Sequence, residues 1–184
     1  AFKTNAGALD GIPIGTAGQI LKVNSGATGY EFGADEGGKV KQLINGESST
    51  NYSQSGQGEL HCTNYNLTIT PQSTSSKIIV SQSQNIFVSD QNGNSYHESE
   101  GYIRIYRAIS GGATTQLLSN EYGYELNYVG TQTNTQNNYA LITSGHVDAP
   151  NTTSAVTYQL RIYSSNANYR VDTRHFSGYL MEVL

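Results

Sequence analysis

Glu98 and Glu100, in the stretch SYHESEGY, have the spacing of a carboxylate pair for glycoside hydrolysis. Two residues apart on a strand, they would share one face at roughly 7 Å, within the window such chemistry uses. A general acid also needs burial or a neighbouring like charge to raise its pKa. The surrounding residues are polar and read as a loop, so the expectation is a pair of solvated carboxylates. Cys62 is the sole cysteine, which excludes an internal disulfide and a thiolate cluster for zinc. His61 precedes it, but adjacent strand residues point to opposite faces, a poor placement for proton transfer. His146 and Asp148 could join one of many serines in a triad, yet no Gly-x-Ser-x-Gly turn exists to expose a nucleophile. Catalysis is not expected.

Metal chemistry fares no better. Asp90-Gln91-Asn92-Gly93-Asn94 offers oxygen ligands at alternate positions, as a calcium loop does. The helix–loop–helix pattern wants Gly at its sixth position and Glu at its twelfth, where this chain has Ser95 and Gly101. A strand-to-strand turn is the expectation. His61, His97, His146 and His175 are isolated from one another, so neither a metal nor another cofactor is expected.

Binding chemistry points instead to tyrosine, of which there are 14. Tyr122, Tyr124 and Tyr128 fall at even spacing in EYGYELNYV, while Tyr96, Tyr139 and Tyr169 sit beside polar loop residues. Aromatic faces stack on sugar rings, phenol hydroxyls hydrogen-bond, and such rigid side chains lose little entropy on binding. These six are the candidate binding residues; the competing reading is packing across strands or at subunit contacts.

The elements that must carry them are strands. Strand patterns recur at 39–44, 60–70, 77–88, 102–108, 116–119, 122–129, 139–147, 155–164 and 178–184, separated by turn-forming runs such as SDQNGN and TQTNTQNN. No helical period is evident. Val156, Tyr158, Leu160 and Ile162 alternate with Gln159, Arg161 and Tyr163, which assigns the first set to the core. Ile103-Arg104-Ile105-Tyr106 echoes Leu160-Arg161-Ile162-Tyr163, a match that shared strand physics suffices to explain. The expected fold is an all-β antiparallel sandwich, jelly-roll-like, over residues 37–184. Residues 1–36 read as a short Gly-rich β connector, since nine of the 20 glycines lie in residues 1–38. Within the connector, short strands are expected at 19–23 and 30–32, around a Ser25-Gly26 turn.

Charge narrows the partners. A net charge of −4 lacks the clustered Lys and Arg of a phosphate-binding surface, so nucleic acid is not an expected partner. No apolar run reaches the roughly 20 residues needed to span a bilayer, and membrane insertion is not expected.

The segment GTAGQILKVNSGATGY, residues 15–30, resembles a module that recurs in the tail fibres of bacteriophages, many of them marine, upstream of a terminal domain. LTITPQSTSSKIIV (67–80), DAPNTTSAVTYQLRIYS (148–164) and the closing GYLMEVL also resemble a β-rich domain of such proteins. The resemblance implies a homotrimer on the virion, at the extracellular tip of the tail, among other phage tail proteins. It implies a distal domain that binds a host-surface glycan or outer-membrane protein, with some of the six tyrosines in the receptor site. The alternatives are a polysaccharide depolymerase using Glu98 or Glu100 and a decoration protein without a receptor.

Overall fold

The computed structural model describes residues 3–5, 8–10, 15–34, 39–90, 98–110, 112–118, 126–129 and 138–184; of residues 3–5, 8–10, 90, 98–100, 126–129 and 138–140 it describes the backbone alone. The chain divides into two compact units, Ala1–Gly38 and Lys39–Leu184.

The first unit holds two antiparallel pairs, β1 (Lys3–Asn5) with β2 (Ala8–Asp10) and β3 (Gln19–Val23) with β4 (Tyr30–Ala34). The turn between β3 and β4 is built on Asn24. Its Oδ1 accepts from the Thr28 amide at 3.0 Å and its own amide donates to Gly29 O at 3.0 Å, which is Asx chemistry. Ile20, Leu21 and Val23 remain exposed, as expected of a two-stranded ribbon with no core of its own.

The second unit is a two-sheet antiparallel sandwich. Its strands are β5 (Val40–Ser48), β6 (Tyr52–Ser55), β7 (Gly58–His61), β8 (Leu67–Ile69), β9 (Lys77–Asp90), β10 (Glu98–Ile109), β11 (Thr114–Gln116), β12 (Leu126–Val129), β13 (Asn138–Asp148), β14 (Val156–Ser164) and β15 (Tyr169–Val183). One sheet runs β11-β10-β14-β7, with β12 also on β10 and β8 also on β14. The other runs β13-β9-β15-β5, with β6 also on β15. The expected strand at 60–70 is divided by a 3₁₀ turn at Thr63–Tyr65, and the one at 116–119 moves to Thr114–Gln116. Glu98 and Glu100, read as loop residues, lie instead in β10: their backbone pairs with Val129 and Asn127 of β12.

Alternation fills the interior. Val156, Tyr158, Leu160 and Ile162 are fully buried, as are Ile103 and Ile105 from β10 and Ile78, Val80, Ile86 and Val88 from β9. Each such aliphatic side chain contributes about 1.5–3 kcal/mol. The sheets approach closely where β10 meets β9, because a Cβ on Gly101 would stand 2.7 Å from Val88 Cγ2.

β15 keeps its inward pattern only through a bulge. Arg174 pairs with Asn85 and Ser177 with Ser83, so β15 carries one extra residue between them. That step holds His175, whose φ is +54°. Before it, the odd-numbered Tyr169, Val171 and Thr173 face inward; after it, the even-numbered Phe176, Leu180 and Glu182 do. Phe176 stacks on Tyr65 at 4.7 Å, and Tyr65 meets Tyr52 edge-on at 5.1 Å.

One end of the sandwich is closed by two buried carboxylates. Asp148 and Glu182 flank Ile78 in a single row across β13, β9 and β15. Asp148 accepts from Arg107 and from Tyr158, both at 2.8 Å, and so ties the two sheets together. Glu182 accepts from Gln42 Nε2, the Gln72 amide and the Ser76 hydroxyl, anchoring the loop before β9.

Candidate functional site

The polar side of β10 and β14 carries the densest functional cluster among the described residues. Antiparallel register sets Arg104 directly opposite Arg161, Tyr102 opposite Tyr163 and Tyr106 opposite Gln159. Each arginine therefore has the other strand's tyrosine on its diagonal, within reach of a long side chain. The Arg104 guanidinium lies 3.9 Å from the centre of the Tyr163 ring, and that of Arg161 lies 4.1 Å from the centre of Tyr106. The repeated Arg-x-Tyr on two adjacent strands thus makes a local two-fold pattern of cation–π pairs. Tyr102 extends it, its ring 5.6 Å from that of Tyr163.

Two like charges face to face would destabilise the pair of strands. Glu59, on β7 beside β14, resolves this. Its Oε2 accepts from Arg104 Nη1 at 2.8 Å and its Oε1 from Arg161 Nη1 at 2.9 Å. The Tyr106 hydroxyl donates to Glu59 Oε2 at 2.9 Å, and Gln159 Oε1 accepts from Arg161 Nη2 at 2.9 Å. Burial pushes the Glu59 carboxyl up, but the hydrogen bonds from Arg104, Arg161 and Tyr106 outweigh it and hold the group below the ordinary value. Burial, with the Glu59 carboxylate beside it, pushes the Tyr106 hydroxyl up. An ionised Glu59 bound to two guanidiniums is a poor proton donor. The arrangement suits holding a ligand on a rigid sheet: two cations share one carboxylate, among half-buried phenol rings.

The six tyrosines singled out from the sequence do not form one patch. Tyr96, Tyr122 and Tyr124 lie outside the described residues. Tyr128 is opposite Ser99 on β12, in the same sheet as the arginines, whereas Tyr139 is opposite Phe87 on β13 in the other sheet. Tyr169 is only 2% exposed, because it heads the inward-facing set of β15; its ring is not a surface on which a ligand can stack. The arginines and Glu59 were not among the candidates. The signal that leads to them is the echo between residues 103–106 and 160–163, which in register becomes the cation–π ladder.

Three of the groups weighed for catalysis, Cys62, His61 and Asp148, have other occupations. Cys62 is fully buried, and burial pushes its thiol up to about 12, far from a reactive thiolate. His61 Nε2 is 2.8 Å from Asn66 Oδ1. Asp148 is committed to Arg107 and Tyr158.

No known protein family matches the chain, and no characterised protein matches it in sequence. Among solved structures, it is similar to that of the infectious bursal disease virus Gt strain, with a TM-score of 0.42 and 12% identity over 89% of this chain and 38% of that one. It is also similar to the VP2 subviral particle of infectious bursal disease virus, with a TM-score of 0.41 and 15% identity over 94% of this chain and 41% of that one. The chain spans about two fifths of those proteins. Likeness at this level carries no function.

Proposed function

We propose that this chain is the distal part of a bacteriophage tail-fibre-like protein, a non-enzymatic module of the virion that assembles as a homotrimer and binds a host-cell surface receptor. The observation that carries the binding role is the Arg104–Arg161–Glu59 ladder with Tyr102, Tyr106 and Tyr163 on the outer side of one sheet. Guanidinium donors beside aromatic rims fit a glycan better than a flat protein surface, since sugars present both hydroxyls and apolar ring faces. The ladder is held rigid by the strands beneath it, which lowers the entropy lost on binding. The motifs at 15–30, 67–80, 148–164 and 178–184 support a place at the tail tip among other tail proteins. Three copies of a weak site on one trimer would raise avidity by about 10²–10⁴ on a repeated receptor.

The test is a screen of the labelled protein against host cells and a glycan array, with its mass in solution measured by analytical ultracentrifugation. Binding to cells by a trimer is expected. A monomer at micromolar concentration overturns the assembly, and a trimer that binds neither cells nor glycans moves the protein to the role of a virion decoration. Reducing-sugar release from host polysaccharide that is lost in Glu98→Gln or Glu100→Gln would make it a depolymerase.

A further inference from the structure

The middle of the sandwich contains a polar demand that the protein does not meet. Gln82 and Gln84 occupy the centre of β9, both fully buried, and among the described residues neither the amide oxygen nor the amide nitrogen of either has a hydrogen-bond partner. Ser144, also fully buried, stands opposite Gln82 on β13, and its Oγ is likewise unbonded. The surroundings cannot supply what is missing. β9 is paired with β13 all along this stretch, and with β15 on either side of Gln84, where the bulge interrupts the register. On the inward face of the other sheet, Ile103, Ile105, Leu160 and Ile162 offer no polar side-chain atom, and the Tyr158 hydroxyl is committed to Asp148. Thr173 on β15 adds a further buried, unbonded hydroxyl.

Four amide atoms and a hydroxyl left unbonded in an apolar interior would consume a large part of a domain's marginal stability. We infer that a small cluster of ordered water molecules is bound inside the sandwich, bridging Gln82, Gln84 and Ser144. The chemistry of the demand selects the ligand. A cation would serve the two amide oxygens and the hydroxyl and leave both NH₂ groups unbonded, and an anion would do the reverse. Water donates and accepts, and is small enough to lie between side chains that rise side by side from one strand. The cluster forms a polar seam between the apolar layers around Val80 and Leu180 on one side and Ile86 and Val88 on the other.

A crystal structure of the full chain at about 1.5 Å resolution tests this directly. Expected are discrete density peaks at about 2.7–3.2 Å from the amides of both glutamines and from Ser144 Oγ. Glutamine amides bonded to each other across a dry interior would overturn the proposal, as would a single peak held by oxygens alone at metal-ligand distance. In solution, oxygen-17 relaxation dispersion should report long-lived internal water that disappears in Gln82→Met/Gln84→Met. A folded double variant with an unchanged dispersion would count against it equally.

Discussion

The outer sides of the two sheets are finished in opposite ways. On the β10–β14 sheet, arginines, tyrosines and Glu59 interlock through charge-assisted hydrogen bonds and cation–π contacts, so each polar group is positioned by another. On the β9–β15 sheet, one row across four strands is Leu43, Met181, Ile79 and Val147, in register, with Leu43 58% and Val147 59% exposed. The first surface is preorganised and chemically specific. The row from Leu43 to Val147 is apolar, although another row on the same side carries a Thr143–Ser83 hydrogen bond at 3.2 Å. Stability and recognition should therefore respond to substitution in the first cluster and hardly at all along this exposed apolar row.

The largest effect is expected at Glu59. In Glu59→Gln the two opposed arginines lose their shared counter-charge, and urea denaturation should show a loss of about 2 kcal/mol, a figure already reduced for the partial exposure of the cluster. An unchanged midpoint would mean that solvent screens the arginines and that the ladder is not a unit. The pH dependence carries the same signature. The Glu59 and Glu182 carboxyls are held below their ordinary values, so their contribution is complete above the unfolded-state pKa of about 4.3 and is lost as the pH falls through the lower folded-state values. Unfolding free energy should decline as the pH drops below about 4.3, and Glu59→Gln should flatten part of that decline. Stability that stays level down to about pH 3 would contradict both assignments.

Tyr106→Phe comes next. It removes the hydroxyl that serves both Glu59 and Gln116, at 2.9 Å each, with an expected loss of about 1 kcal/mol by thermal or chemical denaturation. Smallest is the control on the other side. Leu43→Ser/Val147→Ser should move stability by no more than about 0.5 kcal/mol per site, since neither side chain is withdrawn from water. A loss comparable to that of Glu59→Gln would show that the two sides do not differ as described.

Much of the fold is readable in the residues, and the exceptions have physical causes. Residues 156–162 alternate cleanly because β14 is a central strand with one face in the core. Residues 169–177 do not, because the bulge at His175 exchanges odd for even positions and breaks the period on which strand recognition rests. Tyr169 looked like a loop residue because it directly follows the polar turn at 165–168. The arginine ladder was half visible: the echo of residues 103–106 in 160–163 marks two similar strands, but only the register Arg104 opposite Arg161 turns similarity into a site. Glu59 gave no local sign, since it reaches the arginines from a third strand.

The claim that the ladder is the recognition surface is tested most directly by measuring host-cell binding of matched variants whose unfolding midpoints are measured in parallel. Folded Tyr102→Ala/Tyr163→Ala should lose at least about tenfold in affinity, consistent with the loss of buried aromatic contacts, while Leu43→Ser/Val147→Ser binds as the unaltered protein does. Full binding by the tyrosine variant, or loss confined to the leucine and valine variant, would contradict it.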